Sequence, residues 1–295
     1  MKNFQCNCIP GFILLFLLAC DPVAQSPSNY IQLQYVATLP KSLKETSGLA
    51  SCADTSYYIH NDSGNKPRLY QISAVSGEIQ REIRIKDAKN NDWEELAEDN
   101  THIYIGDFGN NTGMRTNLMI YSVSKHDLGE KDEVKAGIIH YEYPDHASFT
   151  ARGKHNHDCE AMVAIEDSLY LFSKNRGDLA TDVYRLPKKP GRNVAQHVGH
   201  FNSQGLITAA DFLPGESNML VLLGYETAGN TYKSFLWLFT GFNGTDFFEG
   251  TQRRIAIAPD LQAEAVLFDS DSTLIITNEE EKGGLGRINR IVIGK

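Results

Sequence analysis

Thr46-Ser47-Gly48-Leu49-Ala50 returns along the chain as Trp93-Glu94-Glu95-Leu96-Ala97, Cys159-Glu160-Ala161-Met162-Val163, Ala209-Ala210-Asp211-Phe212-Leu213 and Ala263-Glu264-Ala265-Val266-Leu267. Aligned on positions 47, 94, 160, 210 and 264, the copies stand 47, 66, 50 and 54 residues apart. That is the spacing of four-stranded propeller blades of about 40–50 residues with their loops. After a polar turn each copy is followed by a second apolar run, from Tyr57-Tyr58-Ile59-His60 in the first to Leu274-Ile275-Ile276-Thr277 in the last, and then by a third, from 68–72 to 288–292. Four copies carry a fourth run, at 82–85, 138–143, 195–200 and 254–257. The last copy has none, but Ile31-Gln32-Leu33-Gln34-Tyr35-Val36 precedes the first copy as a fourth run precedes each of the others. Short runs of β-branched and aromatic residues with Gly and Asn at the turns fit strands and no helix. The expected fold is an all-β propeller over 30–295, five-bladed by direct count, its ring closed by an N-terminal strand so that no edge is left at the junction. The 66-residue interval could hold extra strands, so six blades is the alternative count. A two-sheet β-sandwich is the alternative architecture, but it requires neither four runs in regular order nor closure.

Residues 1–19 read as an export signal. Lys2 supplies the positive start, and the eleven apolar residues from Ile9 to Ala19 are too few to cross a bilayer, which takes about 20 residues as a helix. Leu17-Leu18-Ala19-Cys20 resembles the lipobox of bacterial lipoproteins. The resemblance implies that Cys20 is acylated, becomes the first mature residue and anchors the protein by lipid to the bacterial cell envelope, with the outer membrane as the expected site. Residues 20–29 are rich in Pro and small polar side chains and read as a flexible tether. Loss of Lys2 leaves 27 basic against 37 acidic residues, moving the net charge from −9 to −10. Such a body disfavours nucleic acid as a partner and favours cations. Cys52 and Cys159 are too few for a disulfide scaffold and read as buried free thiols, with pairing as the alternative.

In a propeller the loops leading into the first strands and those leaving the second strands open on one face. The former carry Glu45, Asp92 with Glu94, Asp158 with Glu160, Asp211, and Gln262 with Glu264. The latter carry Asn61-Asp62, Asp107 to Asn111, Lys174 to Asp178, Tyr225-Glu226 and Asn278-Glu279-Glu280. Two readings of these acids stand side by side. In one they satisfy backbone groups around the channel, where each unpaired buried group costs about 1–3 kcal/mol. In the other, carboxylates converging on the axis repel unless neutralised, and an oxygen-only set suits Ca²⁺ or Mg²⁺ rather than zinc or copper. The metal candidates are Glu45, Asn61, Asp62, Glu94, Asp107, Glu160 and Glu264. Lys174, Arg176, His157 and Asp211 are candidates for ligand contact. Lys174 and Arg176 could grip an anion or pair with neighbouring acids, and His155 and His157 could be a base or ligands, or ordinary loop residues.

Glu45-Thr46-Ser47-Gly48-Leu49, followed by a strand ending in Asn61-Asp62, resembles the blade openings of SdiA-regulated and phytase-like propellers, within the calcium-dependent phosphotriesterase and lactonase superfamily. Asp92-Trp93-Glu94 and Asp158-Cys159-Glu160-Ala161 are similar to segments of Bacteroidetes lipoproteins. The resemblance implies a central calcium held by a first-strand Glu and by Asn or Asp of neighbouring blades, the types found at Glu45, Asn61 and Asp62. Members of that superfamily have six blades. No nucleophile elbow, P-loop or dinucleotide fingerprint is present. The leading functional expectation is a non-enzymatic envelope lipoprotein that binds a protein or glycan partner through its acidic face. The alternatives are a calcium-dependent hydrolase of phosphoesters or lactones, and a structural role in an envelope assembly.

Overall fold

The computed structural model describes Met1 and residues 30–53, 55–149, 154–216, 218–229, 231–279 and 284–294. The expected export signal, Cys20 and the expected tether lie outside the described residues. The chain forms five sheets, each a blade built outward from a first strand at the axis. Blade 1 runs Thr46–Ala53, Ser56–Asn61, Arg68–Ser73, Ile79–Lys86; blade 2 runs Trp93–Glu98, His102–Asp107, Met119–Ser124, Gly137–Glu142. Blade 3 runs Cys159–Ile165, Ser168–Ser173, Thr181–Pro187, Gln196–Phe201; blade 4 runs Leu206–Leu213, Met219–Ala228, Thr231–Thr240, Thr251–Ala258. Blade 5 takes Ala263–Ser270, Thr273–Asn278 and Arg287–Val292 from the end of the chain, and Gln34–Thr38 pairs antiparallel with the last of these as its fourth strand. The five first strands touch in a closed ring, the fifth against the first. The count is therefore five. Among its described residues the 66-residue interval holds no sixth blade but the helix Lys125–Glu130 and the strand Glu133–Lys135.

Three blades carry a fifth, outer strand that runs parallel to the fourth. Glu133–Lys135 lies on blade 1, Gly191–Val194 on blade 2 and Tyr30–Gln32 on blade 4. Each is contributed by the segment that precedes the fourth strand of the following blade. Thus the N-terminal run divides at Leu33: its first half borders blade 4 and its second half completes blade 5. Phe248 stacks on Phe201 at 4.7 Å, which places the loop before the fourth strand of blade 4 beside the outer strand of blade 3.

The core lies between blades rather than within them, because each sheet turns apolar side chains to both neighbours. One cluster joins blades 1 and 2 around Leu69, Ile83, Trp93 and Ile105, and another joins blades 4 and 5 around Leu223, Leu236, Val266 and Ile276. Similar clusters fill the other junctions, including that between blades 5 and 1. Cys52 and Cys159 are free thiols, the second buried and the first part-exposed.

The sequence repeat has a backbone counterpart: every first strand is bulged against its second at the same place. The register skips Gly48, Glu94, Glu160, Thr208 and Glu264. A bulge bends its strand and re-aims the extra residue's side chain. This corrects the alignment in two blades, where Ser47 and Ala210 give way to Gly48 and Thr208. Only blades 2, 3 and 5 place a carboxylate there. At Gly48, φ is +61° and a Cβ would lie 2.6 Å from His60 Nε2 and 2.8 Å from the Leu96 nitrogen, so glycine is required. Thr208 Oγ1 donates to the Ala263 carbonyl at 3.1 Å, tying blade 4 to blade 5.

Candidate cation site in the central funnel

Glu94, Glu160 and Glu264, all at bulges, are buried at the floor of one funnel. Asp62 and Glu279, just past the second strands of blades 1 and 5, and Asp92, just before the first strand of blade 2, join them. The carboxylates of Asp62, Asp92 and Glu94 come together most closely, with one oxygen of each within 4.8 Å of the others. Two oxygens on a shared Ca²⁺ at about 2.4 Å can be at most about 4.8 Å apart, so each pair of the three meets the separation that one hard cation requires of its ligands.

The loop around Asp92 is held by side chains of its own blade. Asp107, fully buried, accepts from Asn91 Nδ2 at 2.6 Å and from the Asp92 nitrogen at 3.1 Å, and pairs with Arg115 at 2.8 Å. Asn90 donates to the carbonyls of Asn61 and Asp62, both at 2.9 Å, and accepts from the Trp93 nitrogen, which ties the Asp62 turn to the start of blade 2. Gly109 closes the site from behind. A Cβ there would stand 2.1 Å from Glu94 Oε1 and 2.5 Å from Asp92 Oδ2. Among the described residues no donor hydrogen-bonds the Glu94 carboxylate, although the residue is 6% exposed. The Asn61 side-chain oxygen is likewise buried without a partner, while its Nδ2 donates to the Ser42 carbonyl at 2.7 Å.

Opposite the triad the funnel neutralises itself. Lys174, buried, pairs with Glu160 and sits 5.0 Å above the Tyr225 ring. Arg176 pairs with Asp158 at 2.9 Å and reaches Glu160 at 3.8 Å. Gln262 donates to Glu264 at 2.5 Å and to Glu279 at 3.3 Å. Burial pushes Asp62 up to about 6, and burial with the Asp62 charge pushes Asp92 up to about 7. Burial first, then the charge of Glu160, drives Glu94 well above the carboxylate range. Glu160, Glu264 and Glu279 are raised too, chiefly by burial and against the pull of Lys174. Glu45 alone moves down, because Asn65 donates to its carboxylate at 2.8 Å at the rim.

Of the residues singled out in the sequence, Asp62 and Glu94 enter the triad, Glu160, Glu264 and Lys174 line the same funnel, and Glu45, Asn61 and Arg176 border it. Asp107 is taken up by Arg115 and the Asp92 loop. His157 stacks on His146 at 4.3 Å, with its Nε2 3.3 Å from Asp145, in the loop between blades 2 and 3. Asp211 does not face the funnel. It lies toward the far end of its strand, where it accepts from the Phe212 and Phe268 nitrogens at 2.8 and 2.7 Å. Three residues escape the sequence-based candidate set. Asp92 and Glu279 share their loops with Glu94 and Asn278. Glu95, fully buried, crosses the axis to accept from the Ala210 nitrogen at 3.0 Å. Both readings of the acids therefore have members: Glu95 and Asp211 satisfy backbone groups of other blades, Asp62 accepts only from the adjacent Ser63 nitrogen, and the side chains of Asp92 and Glu94 accept from no backbone group among the described residues.

No protein-family model matches the chain, and no curated protein matches it either. Among solved structures it is similar to the endo-arabinase of Bacteroides thetaiotaomicron, at 11% identity over 88% of this chain and 97% of that one, with a TM-score of 0.51. It is also similar to the exo-β-1,3-galactanase of Phanerochaete chrysosporium, at 14% identity over 88% of this chain and 63% of that one, with a TM-score of 0.50. A further likeness, to the PQQ-bound aldose sugar dehydrogenase of Streptomyces coelicolor, has 10% identity over 90% of this chain and 99% of that one, and a TM-score of 0.48. The first two likenesses reach the fold and stop there.

Proposed function

We propose that the chain is an exported binding propeller whose funnel holds a divalent hard cation, calcium in the first instance, and offers it to a ligand that completes the coordination. The observation that carries this reading is the triad of Asp62, Asp92 and Glu94: three carboxylates brought together without a basic side chain among them and backed by a glycine that leaves room for nothing else. The SdiA-regulated and phytase-like resemblance is in keeping with it. A ligand that binds only the folded state stabilises it by about 2.7 kcal/mol at a hundredfold excess over Kd, or about 5–10 °C in melting temperature for a chain of this size. Calcium should raise the melting temperature of the chelator-treated protein by that amount. In Gly109→Ala the new methyl group must displace the mobile ends of Glu94 and Asp92, so the variant should melt near the wild type in chelator and lose the calcium response. Melting curves unmoved by calcium, magnesium and manganese alike would end the proposal.

A second reading, hydrolysis of lactones or phosphoesters, is favoured by one observation: Glu279, which lines the funnel but stands outside the triad, is pushed up to about 7, chiefly by burial and then by the Asp62 charge. A cation held by the triad would polarise the scissile group, and Glu279 would be the carboxylate to take a proton from the attacking water. Calcium-dependent turnover that disappears in Gly109→Ala would select this reading over binding alone.

We also propose that Cys20 carries a lipid that holds the propeller at the bacterial envelope. Replacing it with Ser should abolish labelling by a fatty-acid analogue and release the protein from the membrane fraction. A Cys20→Ser protein that still partitions into detergent would refute the anchor.

A further inference from the structure

The middle hairpin of blade 4 is longer than its counterparts. Its strands, Met219–Ala228 and Thr231–Thr240, have ten residues each, against six in the second strand of every other blade. The first strand of the blade is paired only as far as Leu206 with Tyr225. Beyond that point Glu226–Lys233, Thr227–Tyr232 and Ala228–Thr231 pair as a free two-stranded ribbon, rising about 10 Å at roughly 3.3 Å per residue. Second strands end on the funnel face, so the ribbon stands at its rim. Arg254 of the fourth strand anchors it, pairing with Glu226 while its guanidinium lies 4.1 Å from the Phe235 ring. At its base Tyr225 and Tyr232 meet edge to face at 4.9 Å, and the Tyr225 ring carries Lys174. Tyr232 is half-buried, on the ribbon that stands at the funnel rim.

Resting on the reading of the funnel as a ligand site, we infer that this ribbon is a grip for an uncharged oligosaccharide, with Tyr232 as the surface on which a sugar ring lies. Charge excludes most other occupants. Among the described residues Asp62, Asp92, Glu94 and Glu279 have no basic partner, whereas Lys174, Arg176, Arg115 and Lys44 are already paired with acids, so sulfate and uronate groups are repelled. A lysine or arginine side chain of a protein would find the cation–π position over Tyr225 taken by Lys174 and would be repelled by it. A neutral sugar suits both halves of the site. Its hydroxyls donate to carboxylates and can complete the shell of a hard cation, and its C–H face rests on an aromatic ring that is apolar across the face and polar at its tip.

The test uses the full-length protein on an array of neutral, sialylated and sulfated oligosaccharides with calcium present, and compares the wild type with Tyr232→Ala and Tyr232→Phe. Neutral members should be bound. Affinity should fall about tenfold in Tyr232→Ala and survive in Tyr232→Phe, and both variants should keep the wild-type melting response to calcium. The inference is overturned if a calcium-responsive protein binds no neutral glycan, if sulfated or sialylated members bind best, or if Tyr232→Ala binds as the wild type does. If neutral glycans bind in a Tyr232-dependent way and calcium shifts nothing, the grip stands and the cation reading falls.

Discussion

A chain without residues 30–38 is expected to lose cooperative folding. The deletion removes the fourth strand of blade 5 and the parallel border of blade 4 together. It takes Ala37, 3% exposed, from the cluster between blades 5 and 1 and bares the whole pairing edge of Arg287–Val292. Against a typical total stability of about 5–15 kcal/mol, the loss of two strands should remove about 5 kcal/mol or more, which is a fall of at least about 10 °C in melting temperature. The bared edge should also promote association. Deleting 20–29 instead is the control and should leave melting unchanged. Equal melting of the two deletions would refute closure by the N-terminal strand.

Without divalent cations, stability should fall as pH rises from about 4.5 to 8. The sign follows from the direction of the shifts. Asp62 and Asp92 bind protons in the fold up to about 6 and 7, and Glu94, Glu160, Glu264 and Glu279 are raised as well. The unfolded chain releases those protons near pH 4. Between the two values these six acids hold more protons in the fold than the buried His60, lowered to about 4, gives up, so each rise in pH favours unfolding, by about 1.4 kcal/mol per pH unit for every net proton retained. Bound calcium replaces the protons and should flatten the slope, most visibly above pH 6. Melting curves of chelated and calcium-loaded protein from pH 4.5 to 8 decide the matter. A chelated protein that grows more stable over this window would show that the funnel acids are ionised and satisfied without a cation.

The ring was legible because its evidence is redundant: fifteen apolar runs in the same order leave little freedom, and an absent run at one end is matched by a surplus run at the other. Individual acids were less legible, because their direction depends on register. Glu94 and Glu95 are neighbours of identical chemistry, yet the bulge turns the first to the funnel and leaves the second to cross the axis. The same bulge displaced the alignment in blades 1 and 4, where Gly48 and Thr208 carry no acid to mark it. Asp211 resembled a funnel residue by its place in the repeat, but it lies three residues past the bulge and serves backbone groups at the opposite end. The outer parallel strands at 133–135 and 191–194 were too short and too polar to stand out as runs, and their partners lie one blade back along the chain.

The divided N-terminal run also governs the order in which the molecule can be completed. Tyr30–Gln32 needs Thr251–Ala258, and Gln34–Thr38 needs Arg287–Val292, so each is paired with a strand more than 200 residues further along the chain. Contacts this distant in sequence slow folding, since the connecting chain must be confined before they form. Blades 1 to 3 can mature while their successors are still being made. Residues 30–38 remain without a sheet partner until Thr251–Ala258 and Arg287–Val292 have been made, which makes this stretch the natural point of attack for a protease or a holdase acting on the newborn protein.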